Sequence, residues 1–179
     1  MKNPLMWATS GDLEPQDLRR LLQDGGGLEL DARRAIVAVS LVGVAAMGLV
    51  SLLQMGLIKN LPDPPIKRPR FATKQVNSSD EAYGWGMPDA PLTVFAHGAN
   101  MSFAAAGPPD RWRNRPWLPI LATLSAAAQA AVAAKYLFWQ MPKIEKAWCP
   151  YCIVDALTHF ATFALTLPET AKAVRNLRG

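Results

Sequence analysis

Residues 35–58, AIVAVSLVGVAAMGLVSLLQMGLI, run without a single charge. About 20 apolar helical residues cross the ~30 Å hydrocarbon layer of a bilayer, so this stretch is long enough to span one. Arg33 and Arg34 precede it, Lys59 follows it, and Gln54 is its only strongly polar interior residue. Its Val, Ala and Gly content suits close helix packing in lipid. The run begins after some thirty mostly polar residues and has stop-transfer length, so the expectation is a retained membrane helix and not a cleaved signal.

Beyond it the chain alternates between two materials. Residues 59–89 are proline-rich and charged, which breaks any continuous membrane helix and predicts a long extramembrane loop. Residues 90–107 are apolar and rich in small side chains, with His97 and Asn100 inside, and read as a second span. The link 108–115 is short, and Pro116 suits the first turn of a third span over 117–141. Lys135, Tyr136, Phe138 and Trp139 near its far end have the composition of an interfacial belt. A fourth span is expected over 148–167, closed by Pro168, with 169–179 as a short basic tail. Within residues 1–34, Leu18, Leu21 and Leu22 recur at helical spacing after Pro15 and before Gly25, which predicts an amphipathic helix that packs on its own protein, docks a partner or lies in the headgroup layer. The fold class expected is an all-α integral membrane protein: a four-transmembrane-helix bundle, residues 35–168, with an N-terminal amphipathic helix and a long outer loop.

Half of the 179 residues are apolar, only 18% are charged, and the formal charge is +5. The basic residues flank apolar runs and form no stripe interleaved with aromatics, so the charge reads as membrane topology, with lipid as partner and no nucleic acid. Counting Lys and Arg near the helix ends puts ten on the side of the termini and seven on the other. Arg111, Arg113 and Arg115 lie in a very short loop, where this bias is most informative. Both termini are therefore expected in the cytoplasm.

The only two cysteines are Cys149 and Cys152, separated by Pro150 and Tyr151 at the start of the last span. The topology places them at the outer face. Two thiols at this spacing at a helix start form a tight disulfide, and unpaired backbone N–H groups favour thiolate on the first. The pair reads as redox-active or as a static bridge. One turn further lies Asp155, and His159 follows at i+4, so Cys152, Asp155 and His159 share a helix face. Ionisable groups within a span usually face a protein interior or cavity. Asp155 and His159 read as a proton relay, as groups binding a quinone carbonyl, or as a pair that satisfies itself. His97 and Asn100 read as packing residues or as part of such a site. No metal is expected, because seven residues of helix separate Cys152 from His159 by about 10 Å.

The combination resembles the vitamin K epoxide reductase family. Trp148-Cys149-Pro150-Tyr151-Cys152 opens the last of four spans. In the loop after the first span, Val76-Asn77-Ser78-Ser79 is similar to the family's Val-x-Ser-Ser, and Gly86-Met87-Pro88-Asp89-Ala90 to its Gly-(Ile/Met)-Pro-x-Ala. Arg111-Trp112-Arg113-Asn114-Arg115-Pro116-Trp117 is similar to bacterial members. The resemblance implies a four-helix membrane oxidoreductase passing electrons from thiols to a quinone. It implies that Cys152 faces the quinone and that Cys149 exchanges with a thiol partner. Ser79 falls in the loop-serine segment, and Asp89 stands where many members place an asparagine that hydrogen-bonds the quinone.

One departure is plain: the loop has no cysteine, and Thr73 occupies the place expected for the family's second loop cysteine. Two readings follow. In the first, the chain is a thiol:disulfide oxidoreductase of the bacterial inner membrane, taking electrons from a periplasmic thiol protein and giving them to menaquinone or ubiquinone. In the second, it is a non-catalytic subunit of a larger membrane complex built on the same fold.

Overall fold

The computed structural model describes residues 14–66 and 68–178, so residues 1–13 of the N-terminal segment and Lys67 of the charge count lie outside the described residues. The described chain is helical, with one isolated bridge and no strand. The helices are α1 Pro15–Asp24, α2 Leu28–Gln54, α3 Thr73–Asn77, α4 Asp89–Ala105, α5 Arg111–Asn114, α6 Trp117–Lys135 and α7 Pro150–Leu177.

α2 begins seven residues before the uncharged run, because Glu29 and Asp31 sit favourably in its first turn. It ends at Gln54, before residue 58, and the chain then turns through Gly56 at φ 74°. α6 does not stop at Met141. It widens into π-helical turns over Tyr136–Glu145, which leave room for the ring of Pro142, and closes at Lys146 with φ 51°. Among the described residues, three helices are long and apolar enough to cross a membrane: α2, the continuous Trp117–Glu145, and α7. The 17-residue α4 spans only about 25 Å at 1.5 Å per residue.

α2 packs on α4 and α7, α6 packs on α7 and α4, and the four long helices form one bundle. Ala122, Ala126, Ala130 and Ala133 make a buried stripe on α6, the small-residue surface that lets helix backbones approach. Leu41, Val42, Phe95, Leu124, Val132, Phe138 and Leu157 point outward and are exposed. This is an apolar outside around an interior that holds Ser40, Asn100, Thr158, Thr162 and Thr166.

Pro168 does not close α7, and residues 169–177 continue it. Tertiary contacts hold the helix past the proline. Glu169 binds Arg111, Thr170 donates to the Pro119 carbonyl, Lys172 pairs with Glu29, and Ala173 is fully buried.

At this end of the bundle two arginines gather the carbonyls of the last turn of α4 and of the segment just past it. Arg33 donates to the carbonyls of Ala104, Ala106, Gly107 and Pro108 at 2.6–3.3 Å. Arg111 donates to the carbonyls of Phe103 and Ala106 and makes a bidentate pair with Glu169 at 2.7 and 2.8 Å. Both are 2% exposed, so two of the ten charges counted for topology are structural bolts inside the protein. Arg34 fastens α1 by donating to the carbonyls of Leu22, Gln23 and Gly25, and Leu18, Leu21 and Leu22 are half-buried.

Candidate functional site

Pro150 takes the first position of α7 and Cys149 caps it, so the cysteine pair wraps the helix start. The Cα atoms are 5.2 Å apart, a disulfide separation, and the Cys152 backbone N–H donates to Cys149 Sγ at 3.2 Å. Cys149 is fully buried and Cys152 is 8% exposed. They sit in an apolar cluster with Val50, Val76, Ala90, Met141 and Ala156.

The outer loop forms the roof. Trp148 N–H donates to the Arg70 carbonyl and Ala72 N–H to the Trp148 carbonyl, both at 2.9 Å, and Phe71 bridges to Trp148. Gln75 donates to the Glu145 carbonyl at 2.8 Å. Thr73, at the position of the missing cysteine, is fully buried and gives both its N–H and its hydroxyl to the Asp63 carboxylate, at 3.1 and 2.5 Å. A hydrogen-bonded clasp between residues 63 and 73 thus ties down the segment over the cysteines. Nothing in the residue types announced this pairing, because threonine and aspartate are ordinary loop residues. Asn77, at the end of α3, reaches both sulfurs: its Nδ2 donates to Cys149 Sγ at 3.3 Å, and its Oδ1 lies 3.5 Å from Cys152 Sγ.

Gln54, the polar residue of the first apolar run, is a hub. Its Nε2 donates to Asp89 Oδ1 at 2.8 Å and to the Asn77 carbonyl at 3.3 Å, and its Oε1 accepts from Ala90 N–H at 3.1 Å. The Tyr83 hydroxyl donates to the Gln54 carbonyl. Asp89 is therefore bound to Gln54 at the start of α4. Ser79 donates to the Val76 carbonyl at 2.9 Å within the loop.

Below the cysteines, Asp155 and His159 meet as their spacing predicts, with His159 Nε2 3.5 Å from Asp155 Oδ2. The structure adds His97 from α4, whose Nε2 lies 2.8 Å from Asp155 Oδ1. The two imidazoles stack with centroids 4.4 Å apart and planes within 8°. Their ligand atoms are close enough to invite a metal reading. An ion shared by both rings must lie in both ring planes, which face-to-face rings exclude unless one turns. One carboxylate between two stacked rings is suited to holding a single proton, because two stacked imidazolium ions repel.

Room for His97 comes from Gly43 on α2, where an added Cβ would lie 2.1 Å from His97 Nε2. Gly43→Ala is expected to unseat the ring from Asp155 and to destabilise by ~1–3 kcal/mol. Gly48→Ala, in open space on the same helix, is expected to be neutral or slightly stabilising. Thermal unfolding in detergent measures the contrast; equal midpoints for the two variants would remove His97 from the cluster.

Among the described residues, His97 Nδ1, His159 Nδ1 and the Tyr136 hydroxyl are buried without a hydrogen-bond partner. Tyr136, from the widened end of α6, packs against the cysteine cluster. Only its place in an aromatic belt was legible beforehand.

No curated protein and no solved structure matches the chain. The sequence model described as "Vitamin K epoxide reductase family" matches residues 34–167, from Arg34 in the second turn of α2 to the residue before Pro168. This covers most of the chain, including every residue of the site described above, and with the apolar helices it makes the protein a multi-pass membrane protein of redox oxidoreductase type. The chain belongs to the vitamin K epoxide reductase family.

Proposed function

We propose that the protein is a quinone-linked thiol:disulfide oxidoreductase with Cys149 and Cys152 as its redox pair. The observation that carries the reading is the meeting of the two sulfurs at the mouth of α7, in a chain of this family. The reduced pair gives two electrons to a quinone, menaquinone or ubiquinone, which becomes the quinol as the pair closes to a disulfide. A periplasmic dithiol protein then reduces that disulfide by exchange and leaves oxidised. Cys152, the more accessible sulfur, is the one that meets the quinone.

The polar groups around the pair suit such a substrate. A quinone offers two carbonyl acceptors and no donor, and the Tyr136 hydroxyl, buried without a partner among the described residues, is a donor suited to one of them. The Asp155 cluster lies one helical turn inside Cys152 and supplies a place for a proton. Asp89 and Ser79 border the roof of the site through Gln54 and α3.

The test is a thiol count. Protein reduced with dithiothreitol and freed of it is mixed with a short-chain ubiquinone or a naphthoquinone, and two thiols per chain are expected to disappear. Survival of both thiols overturns the reading. That outcome would favour the second reading, a non-catalytic subunit of a larger membrane complex, which the burial of Cys149 under α3 also fits and which requires co-purification of partners in mild detergent.

The arrangement in the membrane belongs to the same proposal. α4 acts as a fourth, short span beside the three long ones, and both termini face the bacterial cytoplasm, with the cysteines at the outer face. An alkaline phosphatase fused after residue 179 is expected to be inactive in a bacterial host; an active fusion reverses the orientation.

A further inference from the structure

Asn77 is 2% exposed, and its carboxamide lies against both sulfurs. Its two ends are not interchangeable. The Nδ2 group also donates to the Thr73 carbonyl at 2.8 Å, so turning the amide over would set oxygen against oxygen. The donor end therefore faces Cys149 and the acceptor end faces Cys152. The residue is braced from behind, since Gln54 donates to the Asn77 carbonyl and the Asp63 clasp holds Thr73 at the start of the same helical turn. Cys149 Sγ has a second donor in the Cys152 backbone N–H at 3.2 Å.

We propose that Asn77 is a catalytic residue of the redox pair, whose N–H holds Cys149 as the thiolate of the reduced state while its carbonyl oxygen accepts from the Cys152 thiol. Two N–H groups converge on one sulfur, and a carbonyl dipole turned toward the other disfavours negative charge there. The two cysteines thus acquire different jobs from one uncharged side chain. When the pair is oxidised, the Cys152 sulfur adds to the quinone as its thiol proton passes to a quinone oxygen, and Cys149 thiolate then attacks Cys152 Sγ. The S–S bond forms as the sulfur–quinone bond breaks, the electron pair of that bond stays on the quinone, and one proton from water completes the quinol. This rests on the reading that the pair cycles, but the interaction concerns the sulfurs alone and is measured without quinone.

Native protein, Asn77→Leu and Asn77→Asp are equilibrated at pH 7 with graded ratios of reduced to oxidised dithiothreitol, quenched in acid, alkylated and counted by mass. Losing a hydrogen bond to a charged sulfur is expected to make the pair about tenfold or more harder to reduce in Asn77→Leu. Asn77→Asp, equal in size but negative, is expected to shift at least as far in the same direction. Asn77→Gln, which retains the amide on a longer stem, is expected to recover part of the shift. An equilibrium for Asn77→Asp within twofold of native overturns the proposal, even if Asn77→Leu fails to fold. A native-like Asn77→Leu overturns it equally. Because dithiothreitol is the only redox reagent, a protein inert toward quinone can still pass or fail this test.

Discussion

Cys152→Ser is expected to reduce quinone roughly a thousandfold or more slowly than the native protein, with Cys149→Ser equally impaired. Two-electron reduction needs both sulfurs, because one thiol alone cannot deliver a pair of electrons by closing an S–S bond. Serine matches cysteine in shape, but its hydroxyl is not ionised near neutral pH and forms no bond to sulfur. The substitution therefore isolates chemistry from packing. Both sulfurs sit in an apolar cluster that a serine disturbs little, so thermal unfolding of the variants is expected to track that of the reduced native protein. Quinone reduction undiminished by Cys152→Ser would sink the oxidoreductase reading. The single variants also probe exchange with the thiol partner run in reverse: the retained thiolate attacks the disulfide of the oxidised partner and, with no second sulfur to release it, stays in a mixed disulfide.

Arg111→Ala is expected to be the most destabilising single substitution, at about 3–5 kcal/mol. It strands the Glu169 carboxylate, 5% exposed, and the carbonyls of Phe103 and Ala106. It also releases the segment that keeps α7 helical beyond Pro168. The thermal midpoint in detergent is expected to fall by ~10 °C or more for a chain of this size. Replacing both partners with apolar residues of similar volume, Arg111→Met with Glu169→Leu, is expected to restore much of the loss, because no uncompensated charge stays buried. If the double variant is as unstable as Arg111→Ala, the carbonyl contacts matter more than the ion pair.

How much of the site was legible beforehand differs residue by residue. Cys149, Cys152, Asp155 and His159 lie on one helix, and spacing alone put the last three on one face. His97 joins them from 58 residues away, and nothing in its own surroundings says that it faces α7 and not lipid. Gly43 read as one more small residue of a span, yet it is the opening that admits that ring. Asn77 stood inside a recognised loop segment with no role attached. Pro168 read as a helix stop by a rule that holds when nothing else supports the chain, and Glu169, Thr170 and Lys172 supply that support.

Order of residues alone dictated the apolar helices, their approximate number and the cysteine pair at a helix start. In hydrocarbon the backbone must satisfy its own hydrogen bonds, so helix formation is a local property that composition and length reveal. Tertiary structure decided which polar groups meet. The loop roof, the Asn77 bridge, the stacked histidines and the buried arginines depend on how each helix is rotated and shifted against its neighbours. A few ångströms of sliding would separate every one of these contacts while leaving the hydropathy pattern unchanged.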